Sequence, residues 1–224
     1  MTNLLIPGLL CDAFTWAPLL ARIEAEVADL TTQDSIGQMA RDCLDRHPGK
    51  LRVAGHSMGA RVAMELARIA PYRVERLALL DTGIHALKQG EREKRDEIVR
   101  FAYENGMEAL AARWLPPMVH EPNQTPELMQ GLTDMVLRRD PDLHARQIKA
   151  LVDRPDAASY LPEIACPTLL IVGRQDQWSP LAQHEEMRTL LPDARLEIVE
   201  NAGHFAPVEQ PETVARLVAE FFEG

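Results

Sequence analysis

Gly55-His56-Ser57-Met58-Gly59 constrains this chain more than any other stretch, because of what flanks it. Leu51-Arg52-Val53-Ala54 ahead of it reads as a short buried strand. Ala60 to Ala67 after it has the helical spacing of small and apolar residues. A serine placed where a strand turns directly into a helix sits on a sharp, strained turn. Glycines on both sides let strand and helix approach closely around it. The helix that starts there points its free backbone N–H groups at the serine's surroundings. That setting suits a nucleophile. The bland reading, a serine that only caps a helix, has to be weighed against what lies downstream.

Two downstream segments weigh against it. Pro167 to Gly173 reads as a buried strand and ends in Arg174-Gln175-Asp176, and Arg195 to Val199 reads as a strand that leads into Asn201-Ala202-Gly203-His204. Ser57, Asp176 and His204 each lie just past the carboxyl end of a strand, the edge at which open parallel sheets bind ligands. A hydroxyl, a carboxylate and an imidazole in that order are the parts of an activated serine nucleophile.

On these residues the chain resembles the α/β-hydrolase superfamily, in its branch of small single-domain esterase-like enzymes with a helical cap. The best-matching pieces are Ile6-Pro7-Gly8-Leu9, Gly55 to Gly59, Gly173-Arg174-Gln175-Asp176 and Gly203-His204. Two features depart from the family pattern. Pro7-Gly8 stands where His-Gly is usual, and the first loop comes almost at once, without the usual leading hairpin. The resemblance implies Ser57 as nucleophile, His204 as its base and Asp176 as the acid that orients the imidazole. It also implies an oxyanion hole made by the backbone N–H groups of Leu9 and Met58, and no cofactor. Asp81, followed by Thr82-Gly83, is the rival for the acid, since some relatives carry it after the preceding strand.

The alternation of strands and helices predicts a doubly wound, mostly parallel sheet of about six strands. Strands are expected at 3–6, 27–30, 51–55, 75–81, 167–172 and 195–199, with helices near 14–25, 35–46, 58–70, 180–191 and 207–222. Between about 84 and 161 the pattern turns all-helical, with periods at 91–103, 107–114, 126–139 and 142–152. This predicts one domain over 1–224 with a helical cap inserted after the strand that ends near Asp81. Prolines and glycines fall at element boundaries and form no linker.

The net charge of −10 argues against nucleic acid and anionic membranes as partners. Leu4 to Cys11 is apolar and ends in cysteine. It has no basic residue ahead, a Pro-Gly in its middle and a bulky Leu10, so it reads as a strand and loop rather than a lipoprotein signal. Three cysteines and no secretory signal point to a reducing cytoplasm.

Trp16, Trp114, Trp178 and Phe205 are the aromatic candidates for the substrate pocket, with Phe14 and Met107, Met118, Met129 and Met135 as further apolar candidates. For any one of them core packing is the competing fate. His85 opens the cap segment and is a candidate for substrate contact. His56 is expected to pack beside the sheet and Cys11 to be a small buried hydrophobe. The remaining histidines are too scattered for a metal site. Basic and acidic residues nearly balance from Lys88 to Arg154, so a neutral cap over an acidic body is expected to favour uncharged substrates. The exception would be convergence of Arg138, Arg139 or Arg146 on the entrance. The expected function is a serine hydrolase of a small, largely apolar ester, thioester or lactone, acting through an acyl-serine. The rivals are a cofactor-free C–C hydrolase or perhydrolase on the same residues, and a ligand receptor built on the fold.

Overall fold

The computed structural model describes all 224 residues. The apolar runs pair side by side into one sheet. Its strands are β1 (Thr2–Ile6), β2 (Glu26–Val27), β3 (Leu51–His56), β4 (Val74–Leu80), β5 (Thr168–Gly173) and β6 (Ala194–Val199), in the order β2-β1-β3-β4-β5-β6. Every pairing is parallel. Parallel neighbours need crossovers, and helices supply them. These are α1 (Ala17–Leu20), α2 (Ile36–Arg46), α3 (Met58–Ile69), α4 (Glu91–Trp114), α5 (Pro126–Leu137), α6 (Pro141–Val152) and α7 (Leu181–Leu190); α8 (Ala206–Glu209) and α9 (Pro211–Glu223) follow the last strand.

Side chains alternate across the sheet and fill two cores. Leu4, Ile6, Val53, Leu77, Leu79 and Leu170 face the larger one, shared with α2, α3 and the helices between β4 and β5. Leu5, Ala54, Ala78, Leu80, Leu169 and Ile171 face the smaller, closed by Val214, Leu217, Val218 and Phe222 of α9. The strand ends are therefore clamped from both faces, and the loops leaving β1, β3, β4, β5 and β6 gather at one edge.

Between β4 and β5 every regular element is a helix: α4, α5, α6 and short 3₁₀ turns, joined by loops. Thr125 and Asp140 cap α5 and α6 by accepting from Leu128 N–H and Leu143 N–H, each ahead of a proline in the first turn. The periods at 91–103 and 107–114 form one α4 broken at Gly106, where φ is +82° and only glycine sits without strain.

Three elements differ from expectation. The helix expected at 14–25 is a 3₁₀ turn, Ala13–Trp16, followed by α1. Arg22 and Ile23 then donate to Leu19 O (2.9 and 3.0 Å) and close a turn instead. The strand expected at 27–30 pairs only at Glu26–Val27, because β1 stops at Ile6 and Pro7 has no N–H to extend the ladder. The last helix is split at Pro211, which leaves Gln210 non-helical (φ −130°, ψ +62°) between α8 and α9. No helix is long and apolar enough to cross a membrane.

Candidate active site

Ser57 adopts φ +55° and ψ −116°, a conformation L-residues rarely hold. The surroundings over-determine it. Ser57 N–H donates to Leu80 O (2.9 Å), and the Thr82 hydroxyl donates to Ser57 O (3.0 Å). A Cβ on Gly55 would stand 2.5 Å from Gly59 O, and one on Gly59 would stand 2.1 Å from Ile6 O. Both glycines are required for α3 to start this close to β3 and to the end of β1.

His204 approaches from the loop after β6. Its Nε2 lies 2.8 Å from Ser57 Oγ and its Nδ1 lies 2.9 Å from Asp176 Oδ2. Asp176 comes from the loop after β5, where its Oδ1 accepts from Trp178 N–H (2.8 Å) and Ser179 N–H (2.9 Å). Burial alone would raise its pKa. The His204 charge, the hydrogen bond from His204 and the two backbone donors outweigh that and hold the carboxyl below its usual range. An ionised carboxylate only accepts, so Nδ1 carries the proton and Nε2 is left to accept from the serine hydroxyl.

Asp81 is fully buried at the end of β4, with φ +48°. Its Oδ1 accepts from Gly173 N–H (2.9 Å), and neither oxygen reaches the His204 ring. Burial, then the charge of Asp176, pushes its pKa well up. Of the two acids weighed, Asp176 is the one that touches the imidazole. His56 supports the same loop from beneath, its Nε2 donating to His204 O (2.7 Å). Burial, and then the His204 charge, lowers the pKa of His56 to about 3, which keeps it neutral.

Ser57, Met58, Leu9 and His204 line one cavity of about 840 Å³. Met58 is the first residue of α3, so its N–H has no acceptor within the helix. The N–H of Leu9 has no acceptor in the chain either, whereas its neighbour Leu10 donates to Gln147 Oε1 (2.8 Å) and so ties the loop to α6.

The pocket candidates divide. Trp114, Trp178 and Met118 line the cavity, and the half-exposed Trp178 ring lies 6.4 Å from that of His204. Trp16 does not. It is 1% exposed and packs in the smaller core on the opposite sheet face, because the short turn Ala13–Trp16 directs it there. Phe205 also contributes no cavity wall. It is buried against the rings of His56 and His204, 5.6 and 6.1 Å away, and acts as their backing. Cys11 is buried, and burial pushes its thiol up to about 12. His85 does line the cavity and sits 2.9 Å from Glu186.

The charges that face the cavity do not follow the balance of the segment as a whole. Arg138 and Arg139 turn away to Asp12, and Arg146 donates to Thr31 O. Other basic residues converge instead: Arg61, Lys88, Lys94, Arg95, Arg113 and Arg154 line the cavity against only two acids, Glu91 and Glu97. A balanced total over a segment says nothing about which side chains its folding turns inward.

Glu209 escaped the sequence reading. Its buried carboxylate accepts from Gly203 N–H and Phe205 N–H, both 3.0 Å away, on either side of His204. It also accepts from His120 N–H (2.9 Å) and Asn123 Nδ2 (3.0 Å) of the helical segment. With His204 N–H donating to Met118 O (2.7 Å), it fixes the histidine loop to that segment.

A model described as the alpha/beta hydrolase family matches residues 4–217, almost the whole chain. The chain belongs to the alpha/beta hydrolase family. The chain is 31% identical over 180 residues to a Bacillus subtilis (strain 168) protein assigned as a 2-succinyl-6-hydroxy-2,4-cyclohexadiene-1-carboxylate synthase. That alignment covers 77% of the chain and 65% of the relative, so the chain spans just under two thirds of its length. It is 29% identical over 186 residues to the pimeloyl-[acyl-carrier protein] methyl ester esterase of Nitrosomonas europaea, with 80% of the chain and 74% of that protein covered. Among solved structures it is similar to a malate-bound thermophilic esterase from Thermogutta terrifontis. The TM-score there is 0.91 at 27% identity, covering 100% of this chain and 89% of the other.

Proposed function

We propose that this alpha/beta hydrolase cleaves a small ester, thioester or lactone through an acyl intermediate on Ser57. The observation that carries the reading is the hydrogen-bonded line from Ser57 Oγ through His204 to Asp176, with Ser57 held at a strained φ beside two unengaged backbone donors. Ser57 Oγ attacks the carbonyl carbon while His204 Nε2 takes the hydroxyl proton. Asp176 fixes the tautomer and stabilises the imidazolium that forms. The N–H groups of Leu9 and Met58 receive the oxyanion, each donor typically worth about 2.7–4 kcal/mol in the transition state. Collapse expels the alcohol or thiol, which takes the proton from His204. A water deprotonated by His204 then attacks the acyl carbon and releases the acid and Ser57. Because both oxyanion donors are backbone groups, Pro7 in place of the usual histidine leaves the hole intact.

The test is labelling with an uncharged fluorophosphonate. Stoichiometric modification of the wild-type protein at Ser57, abolished in Ser57→Ala with the fold retained, is the expected result. An unlabelled wild-type protein would favour a ligand receptor on the same fold.

A further inference from the structure

The floor of the cavity carries a cation with no partner. Arg61 lies in the first turn of α3, which Ser57 immediately precedes, and both residues line the same cavity. A Cβ on Gly83 would stand 3.6 Å from Arg61 Nη2, which places the guanidinium against the loop whose Thr82 holds the Ser57 turn. It makes no ion pair and no hydrogen bond within the chain, and the Glu91 carboxylate acts on it only from beyond ion-pair distance.

Its neighbours add to the positive field. Arg154 grips Glu91 with Nη1 (2.9 Å) and Nη2 (2.7 Å), and Arg95 Nε reaches the same carboxylate at 2.7 Å. Burial favours the neutral acid, yet these donors hold Glu91 down at about 2. One carboxylate thus serves two arginines and leaves a surplus charge. Lys88 and Lys94, exposed at the rim, have no acidic partner either. Arg61 is only partly accessible. Burial first, then the charges of Arg154 and Arg95, lowers its pKa to about 9, so it stays charged at neutral pH in a setting that disfavours the charge. The chain thus folds a guanidinium into the cavity of its nucleophile with no directly paired carboxylate, the nearby Glu91 being already engaged by Arg95 and Arg154.

We propose that Arg61 is a carboxylate-binding subsite, and that the substrate is a half-ester or half-thioester of a short dicarboxylic acid whose free carboxylate pairs with the guanidinium. The fork of N–H donors accepts a carboxylate through two parallel hydrogen bonds. With Ser57 at the start of α3, Arg61 in its first turn and both lining one cavity, a short acyl chain can reach from the scissile carbonyl to the guanidinium. The surplus charge of Arg95 and Arg154 and the rim lysines draw the anion in, even though the whole chain is acidic. The proposal rests on the serine-hydrolase reading for its chemistry and on Arg61 alone for its specificity.

The experiment compares mono-p-nitrophenyl glutarate with p-nitrophenyl pentanoate, and in parallel measures binding of glutarate by calorimetry. The expected wild-type kcat/KM is at least about tenfold higher for the glutarate half-ester. A charge-assisted pair to arginine corresponds to roughly a 10- to 100-fold effect, so Arg61→Gln should lower the half-ester to pentanoate ratio by that factor. Arg61→Lys should recover part of it, and glutarate binding should weaken in the same order. Removing an unpaired charge should not unfold the protein. If Arg61→Gln fails to fold, Arg61→Lys carries the comparison, because loss of the two-pronged pair alone lowers the ratio. A wild-type preference for pentanoate, or a ratio and glutarate affinity unchanged in both variants, would overturn the proposal. A protein that resists the fluorophosphonate but binds glutarate through Arg61 keeps the subsite and loses the acyl-serine chemistry.

Discussion

Replacing Glu209 by alanine removes one buried acceptor from four donors at once. Gly203 and Phe205 N–H point into the protein beside His204 and have no alternative acceptor, while His120 N–H and Asn123 Nδ2 lie nearer solvent. A buried donor left unsatisfied costs about 1–3 kcal/mol. The two inner N–H groups therefore set a loss of about 2–6 kcal/mol, with the outer two rehydrated. For a chain of this size about 1 kcal/mol corresponds to 2–4 °C in Tm, so the melt should fall by roughly 10 °C. Glu209→Gln keeps one carbonyl oxygen and should lose about half as much. The loop that the carboxylate pins also carries His204, so kcat should fall with stability well below Tm, whereas KM should move little. Circular-dichroism melts and ester kinetics on both variants check this. A Tm within 2 °C of wild type and an unchanged kcat in Glu209→Ala would refute the clamp.

Asp176→Asn should cut kcat by about 10⁴ and leave KM nearly unchanged, because the amide offers His204 the wrong partner; stopped assays on active-site-titrated protein read this directly. Asp81→Asn should leave kcat within a few-fold. Burial and the Asp176 charge raise the Asp81 pKa, so its contribution to stability is complete below the ordinary carboxylate range and is lost as pH rises through the folded value. The Tm advantage of Asp81→Asn over wild type should therefore grow from pH 4 to pH 8, and a constant difference would contradict it. Burial lowers His56 to about 3 and His144 and His184 to about 4. With depressed folded values, their contribution is present above the unfolded pKa of about 6.5 and is lost as pH falls. At pH 5 each costs at most about 2 kcal/mol, so the urea midpoint should drop steeply between pH 7 and pH 5.

Parallel strands throw their functional residues to one edge. That is why Ser57, Asp176 and His204, each just past a strand's carboxyl end, read as neighbours from the sequence alone. The choice between Asp176 and Asp81 was less legible, since both end strands beside the same loop; only the direction of each carboxyl separates them. Trp16 shows where pattern reading stops. It lies in a 3₁₀ turn rather than in the longer helix its period suggested, and it packs into the smaller core, a placement the periodicity of the segment does not encode. Glu209 was invisible because its partners are backbone N–H groups, which leave no trace in residue identity. Arg61 reads as an ordinary polar position of α3 until the helical segment folds over it and turns Arg95 and Arg154 inward. Charge balance along a chain carries no such information.

The acyl-serine itself is the most direct test of the account. Wild-type protein mixed rapidly with a p-nitrophenyl ester and quenched in acid should show a burst of p-nitrophenol equivalent to the enzyme, provided deacylation is the slower step. Peptide mass spectrometry should find the acyl mass added on the peptide containing Ser57, and Ser57→Ala should show neither. Hydrolysis at full rate by Ser57→Ala, or an acyl group carried on another residue of the wild-type protein, would contradict it.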